Sequence, residues 1–267
     1  MPFLELDGYR LYYETHGQGF PLVLIRGLGS NMEHWYEQIP AFSRKYQVIS
    51  FNNRGIGTST APALPWSIKE MAGDVAALIE ATAGGRAHVL GISMGGMIAQ
   101  ELALGWPQRV ASLVLTATHC GGAHKVMPTA KTLELFAKLV NGTTFAEQME
   151  GRNALFSLET LDNRPDVLER YTQVAAAYAC PPEVMQGQWE AIQEFDSFER
   201  LPMISAPTLV LAGADDRLVP QGNADILAGR IPGAKLALIP QAGHQLVIEQ
   251  PQATNAAVLD FLASPQG

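Results

Sequence analysis

A chain of 267 residues, 47% hydrophobic and 16% charged, holds enough apolar material for one large core, and roughly 250 residues commonly form a single α/β domain with an insertion. The composition lies far from the weakly hydrophobic, highly charged range in which chains fail to collapse. A formal charge of −8 with no local Lys/Arg cluster disfavours a phosphate backbone, so no nucleic-acid partner is expected.

In chain order, the stretch from Phe3 to Thr15 alternates about Asp7-Gly8 and predicts a two-stranded hairpin. The N-terminal residues lack a basic segment followed by an apolar one, and no apolar run reaches bilayer length. A soluble cytoplasmic protein without a membrane partner is expected. Six apolar runs then read as strands: residues 21–25, 47–51, 87–92, 110–116, 207–212 and 234–239. Their near-continuous apolarity suggests a mostly parallel sheet covered on both faces.

Crossover helices fill the intervals. Ile68, Met71, Val75, Leu78 and Ile79 recur at helical spacing behind a Ser67/Glu70 capping box. A second helix should run from Met94 to about Gly105, stopped by Pro107, and a last one from about Pro251 to Leu262. Between His119 and Ser205 the strand rhythm disappears, and helical stretches are separated by Asn141-Gly142, Arg164-Pro165 and Pro181-Pro182. The expected organisation is a core of residues 1–118 and 206–267 with a helical cap of residues 119–205. Within that cap Phe136, Met149, Phe156, Tyr171, Tyr178, Met185 and Trp189 either line a pocket or fill its own interior, the commoner fate of such side chains.

Cys120 and Cys180 are the only cysteines, too few for a disulfide framework. Two reduced, buried thiols are expected, with a single bridge left open.

The chemistry begins at Gly91-Ile92-Ser93-Met94-Gly95, a G-x-S-x-G pattern lying between an apolar strand and a helix. A serine at so tight a turn adopts an unfavourable backbone conformation, which requires small neighbours; Gly91, Gly95 and Gly96 satisfy this. Ser93 is therefore the candidate nucleophile. The Met94 amide, at the positive end of the following helix, is a candidate donor to a developing oxyanion.

The segment GISMGGMIAQELALGWPQRVASLVLTAT resembles the nucleophile-elbow region of α/β-hydrolases related to 3-oxoadipate enol-lactonases. The resemblance spans nearly the whole chain outside the helical insertion. It implies an α/β-hydrolase fold with a mostly parallel eight-stranded sheet, flanking helices and a helical cap. It also implies the catalytic order Ser, Asp, His. Residues 212–220, AGADDRLVP, are similar to the family's acid turn, where Gly213 and Pro220 select Asp216. Asp215 stays open as a competitor, otherwise a solvated turn residue or local cap. His244, in Gly243-His244 after the final strand, matches the family's base, with a downstream Glu and Pro; its near-neutral titration suits proton transfer to and from Ser93.

By the same resemblance, Arg26-Gly27-Leu28-Gly29 occupies the turn that supplies the second oxyanion donor, here the Leu28 amide. Arg26 departs from the usual His. It either supports the loop through hydrogen bonds or attracts a substrate carboxylate or carbonyl. Asn52-Asn53-Arg54-Gly55-Ile56-Gly57 resembles a family turn with Asn52 in place of Asp, and reads as scaffold. His16 and His88 are expected to be structural, and His34 to pack or cap near the first helix. His119 and His124 flank Gly121-Gly122 at the cap entrance, where substrate contact and loop positioning are both open. Arg26, His119 and Trp189 are the candidates for substrate contact. No His or Cys spacing suggests metal ligation, so neither metal nor cofactor is expected.

The resulting expectation is a serine hydrolase acting on a small carboxylic ester or lactone through an acyl-enzyme. A serine nucleophile disfavours the aspartate-based dehalogenase and epoxide-hydrolase chemistry of this fold. A carbon–carbon hydrolase or a cofactor-free perhydrolase would use the same three residues. A small-molecule receptor retaining the pocket is the alternative from another class.

Overall fold

The computed structural model describes residues 2–142 and 144–264; positions 1, 143 and 265–267 of the expected core and cap ranges lie outside the described residues. The eight predicted strands are β1 (Phe3–Leu6), β2 (Tyr9–His16), β3 (Phe20–Ile25), β4 (Tyr46–Phe51), β5 (Ala87–Ile92), β6 (Val110–Thr116), β7 (Thr208–Gly213) and β8 (Lys235–Ile239). They form one sheet in the order β1-β2-β4-β3-β5-β6-β7-β8. The β1/β2 hairpin is antiparallel and joins β4 antiparallel, and every later pairing is parallel.

Alternation within the inner strands explains their uninterrupted apolarity, whereas β8 at the sheet edge is not covered as expected: Lys235, Leu236 and Leu238 are exposed. Val23 and Ile25 of β3 join Val89, Leu113, Leu115 and Val210 on one face of the sheet. Leu22 and Leu24 join Leu90, Val114, Leu209 and Leu211 on the other. Successive side chains on a strand point to opposite faces, so a strand covered twice needs apolar residues at every position.

Helices α1 (Gln38–Phe42), α2 (Ile68–Thr82) and α3 (Met94–Gly105) occupy the first half of the core. The first face is covered by α2 and α3, through Val75, Leu78, Ile98 and Leu102. The Ser67/Glu70 capping box forms, satisfying backbone donors that open α2. A 3-10 turn, Met32–Trp35, precedes α1 and carries His34. The Asn52–Gly57 turn acts as scaffold: Arg54 makes two hydrogen bonds with Asp74 of α2, Nε to Oδ2 at 2.5 Å and Nη2 to Oδ1 at 2.9 Å. Asn52 Oδ1 accepts the Met32 amide at 2.8 Å.

Between β6 and β7 the chain is helical, with α4 (Ala130–Asn141), α5 (Phe145–Arg152), α6 (Leu158–Asn163), α7 (Pro165–Ala177) and α8 (Pro182–Glu194). Three of the four breaks coincide with the predicted Asn-Gly, Arg-Pro and Pro-Pro pairs; the one between α5 and α6, around Asn153–Leu155, was not predicted. Arg217 fastens this layer to the sheet by donating to the carbonyls of Asn153, at 2.7 Å, and Phe156, at 3.0 Å. The chain ends through α9 (Gly222–Arg230), α10 (Leu246–Glu249) and α11 (Pro251–Ala263). Phe42 of α1 and Val258 and Phe261 of α11 cover the second face. Among the described residues, no helix is long and apolar enough to cross a membrane.

Candidate active site

Ser93 lies between β5 and α3 with φ 57° and ψ −122°, a left-handed conformation that costs a non-glycine residue about 1–3 kcal/mol. Surrounding bonds hold it there: its amide donates to the Thr116 carbonyl at 3.0 Å, and the Thr118 hydroxyl donates to its carbonyl at 2.8 Å. The flanking glycines are required by close approach. A Cβ on Gly91 would lie 2.1 Å from the Gly95 carbonyl oxygen, and one on Gly95 would lie 2.2 Å from that of Ile25.

The turn after β3 runs directly against this elbow. A Cβ on Gly27 would stand 2.9 Å from Ser93 Cβ and 3.4 Å from its Oγ. Leu28, the next residue, lines the cavity beside Ser93, and Met94 is the first residue of α3. A cap residue steadies the loop: Gln188 Oε1 accepts the Gly29 amide at 2.9 Å.

The turn after β7 separates its two aspartates. Asp216 is buried, whereas Asp215 faces solvent. Asp216 Oδ2 lies 3.0 Å from His244 Nδ1, while its Oδ1 accepts the amides of Leu218 at 2.9 Å and Val219 at 2.8 Å. This pairing places the imidazole proton on Nδ1 and leaves Nε2 as the basic atom. The loop bearing His244 is fixed by buried Glu249, whose Oε1 accepts the Gly243 amide at 2.9 Å. The other oxygen, Oε2, reaches into the cap and accepts the Ser157 amide at 2.9 Å and the Thr160 hydroxyl at 2.7 Å. Burial raises the Glu249 carboxyl above its ordinary range, opposed by these donors.

Two cavities meet at Ser93. The larger, about 590 Å³, extends past Arg26, His34, Tyr171 and Gln245 under the cap. The smaller, about 180 Å³, is lined mainly by apolar residues including Met97, Leu133, Trp189 and Ile192. Leu28, Ser93, Phe136 and Leu218 border both, so the serine stands at a fork.

The substrate-contact candidates divide between the arms. Arg26 is buried in the larger one, with Nη2 donating to Gln245 Oε1 at 3.1 Å and the guanidinium 4.7 Å from the centre of the Trp35 ring. Burial lowers its pKa to about 10. His119 borders the smaller arm; its Nδ1 accepts the Gly121 amide at 3.0 Å, which leaves Nε2 as the N–H donor. Burial drives its pKa down to about 4. Trp189 packs tilted against Phe136 with ring centres 5.7 Å apart.

Of the other cap residues singled out, Tyr171 and Met185 border the larger arm, whereas Phe156 is buried in the core and Tyr178 is exposed. Met149 borders neither arm. The expectation for His34 was incomplete: it packs, 4.7 Å from the Tyr171 ring centre, but also lines the larger cavity. Burial and the Arg26 charge hold it neutral, well below its ordinary pKa. His16 pairs with Glu14, His88 bonds Ser112, and His124 stacks on Phe198, all away from the two arms.

Gln245, Arg152, Met97 and Met127 escaped the sequence reading although all border the cavities. Only Gln245, next to His244, carried a usable positional signal. The cysteines are both free; Cys180 is half-buried rather than buried, because it borders the larger cavity. Among the described residues, no group of three or more His, Cys, Asp or Glu side chains is arranged to hold a metal.

The family model for the alpha/beta hydrolase fold matches residues 21–251. The chain is an α/β-hydrolase. Among the relatives of this α/β-hydrolase is RutD of Azorhizobium caulinodans, to which carbamate hydrolysis is provisionally assigned: it is 33% identical over 264 residues, with 98% of each chain covered. The enol-lactonase from Burkholderia xenovorans superposes with a TM-score of 0.87 at 27% identity, covering 98% of this chain and 100% of that one. A thermophilic esterase from Thermogutta terrifontis gives 0.82 at 27% identity, covering 95% and 93%. The fold and its hydrolytic relatives agree with the family inferred from the elbow segment.

Proposed function

We propose that this α/β-hydrolase cleaves a small carboxylic ester or lactone through an acyl-enzyme on Ser93. The observation that carries the proposal is the placement of Ser93 at the fork of two cavities, on a strained elbow, beside a buried Asp216–His244 pair. The larger arm falls within the range of small-molecule sites. The enol-lactonase and esterase among the structural relatives support the substrate class.

In the proposed cycle His244 Nε2 takes the Ser93 proton as Oγ attacks the carbonyl carbon. The Leu28 and Met94 amides hold the resulting oxyanion, and Asp216 stabilises the imidazolium. Collapse breaks the carbon–oxygen bond, and His244 returns its proton to the leaving alkoxide. In a lactone this oxygen stays tethered to the acyl group. His244 then deprotonates a water, which attacks the acyl-enzyme; a second collapse releases the acid and restores Ser93. The cycle calls on no cofactor or metal.

The test joins labelling by a fluorophosphonate to steady-state kinetics on a panel of short esters and lactones. The expected result is one label on Ser93 with many turnovers per enzyme. Ser93→Ala should lose the label and lower kcat by about 10⁴-fold or more. Labelling without turnover across the panel would instead favour a binding protein that retains the pocket, and unchanged activity in Ser93→Ala would overturn the proposal.

A further inference from the structure

We propose that the substrate carries a carboxylate and that Arg26 holds it in the larger arm of the cavity; the inference rests on the hydrolase function proposed above and names the chemistry of its substrate. Arg26 is only 1% exposed. Its Nε and Nη1 have no hydrogen-bond partner, and its single side-chain bond goes to the neutral amide oxygen of Gln245. The Trp35 face offers the cation a quadrupole but no compensating charge. A guanidinium with a pKa of about 10 stays charged at neutral pH. The protein therefore carries a buried cation without a counter-ion, an arrangement that costs several kcal/mol of lost hydration.

The missing counter-ion is a local feature. The whole chain has 26 acidic residues and a formal charge of −8, yet among the described residues no Asp or Glu lines the larger cavity. A second arginine, Arg152, does. Two arginines in the wall of an arm that no described Asp or Glu lines favour an anion there over a neutral group. Support of the loop alone would not need a charge: a neutral side chain could bond Gln245 without the desolvation penalty. Nε and Nη1 lie beneath the cavity wall without accessible surface, so a carboxylate reaches this planar fork as Gln245 turns aside, exposing donors that match its two oxygens.

The other arm answers a different part of the molecule. Met97, Leu133, Trp189 and Ile192 offer it apolar surface. A substrate with an anionic end and an apolar end would thus lie across Ser93 with its carbonyl at the fork, the charge fixing its direction.

The test compares matched substrates on wild-type, Arg26→Met and Arg26→Lys proteins, each checked for folding by circular dichroism. One pair bears the charge on the acyl half, monomethyl glutarate against dimethyl glutarate. The other bears it on the alcohol half, 4-acetoxybutanoate against its methyl ester. In at least one pair the wild-type kcat/KM should favour the carboxylate by about tenfold or more, the scale of a charge-assisted bond. The ratio should collapse in Arg26→Met and partly recover in Arg26→Lys. A wild-type ratio at or below one in both pairs, or one that Arg26→Met leaves unchanged, overturns the inference. Calorimetric titration with glutarate and its neutral diamide gives a readout independent of turnover. Glutarate should bind wild type more tightly than the diamide and lose that advantage in Arg26→Met. No preference for glutarate in a protein whose Ser93 still labels and turns over esters defeats the carboxylate inference alone. Preference for glutarate without labelling or turnover defeats the hydrolase proposal and leaves the anion site standing.

Discussion

Asp216 divides three partners between its two oxygens: Oδ2 meets His244 Nδ1, while Oδ1 is committed to the amides of Leu218 and Val219. In Asp216→Asn those amides keep the amide oxygen facing them, which turns the Asn NH₂ toward the imidazole. The ring must then accept at Nδ1 and carry its proton on Nε2, where it can no longer take the Ser93 proton. The expected loss in kcat is about 10³–10⁴-fold. Asp215→Asn, altering an exposed side chain, should stay within about threefold of wild type. Steady-state kinetics of the two variants decides the acid, and the reverse order would assign it to Asp215.

Gly27→Ala tests the register of the proposed oxyanion loop. The added methyl would meet Ser93 Cβ at 2.9 Å, so either the serine or the loop must shift by a fraction of an ångström. Such a displacement should lower kcat by about 10²-fold while the thermal melt changes little. A variant as active as wild type would place the oxyanion donors elsewhere.

Glu249 binds the histidine loop to the cap through three donors: the Gly243 and Ser157 amides and the Thr160 hydroxyl. Glu249→Ala leaves all three without their acceptor in a buried setting and should destabilise the fold by about 3 kcal/mol or more. Urea titration measures the loss. Thr160→Val removes one of the three bonds and should cost clearly less.

The neutral state of His119 makes stability depend on pH. Its folded pKa of about 4 lies below the ordinary 6.5, so between these values the unfolded chain binds the extra proton. Its contribution is complete above about pH 6.5 and falls as the pH drops toward 4. At pH 5 the loss from this residue should be about 2 kcal/mol. Denaturation at pH 7 and pH 5 should therefore show a smaller drop for His119→Gln than for wild type; equal drops would assign the pH dependence to other groups.

Strands and elbow were legible because their physics is local. Continuous apolarity identified β3 to β8, and Gly91, Gly95 and Gly96 marked a turn too crowded for side chains. The choice between Asp215 and Asp216 needed a resemblance, since adjacent carboxylates differ only in where the turn directs them. The polar end of the larger cavity was out of reach. Arg26 and Gln245 are 219 positions apart, and nothing in either segment says that they meet or that no acid joins them. Cap residues posed the same difficulty: Phe156 and Tyr171 look alike as aromatic members of helical segments, yet one fills the core and the other faces the cavity.

The fork at Ser93 gives the proposed substrate two walls that share α4 and α8 but end in different stretches of chain. The larger arm draws its polar end from the β3 turn, the 3-10 turn and the His244 loop, while the smaller takes Met127 and Pro128 from the entry to the cap and Trp189 and Ile192 from α8. Exchange at those separate ends leaves the shared α4 and α8 in place, so for the proposed reaction preference for the leaving group and preference for the acid can be engineered at different positions.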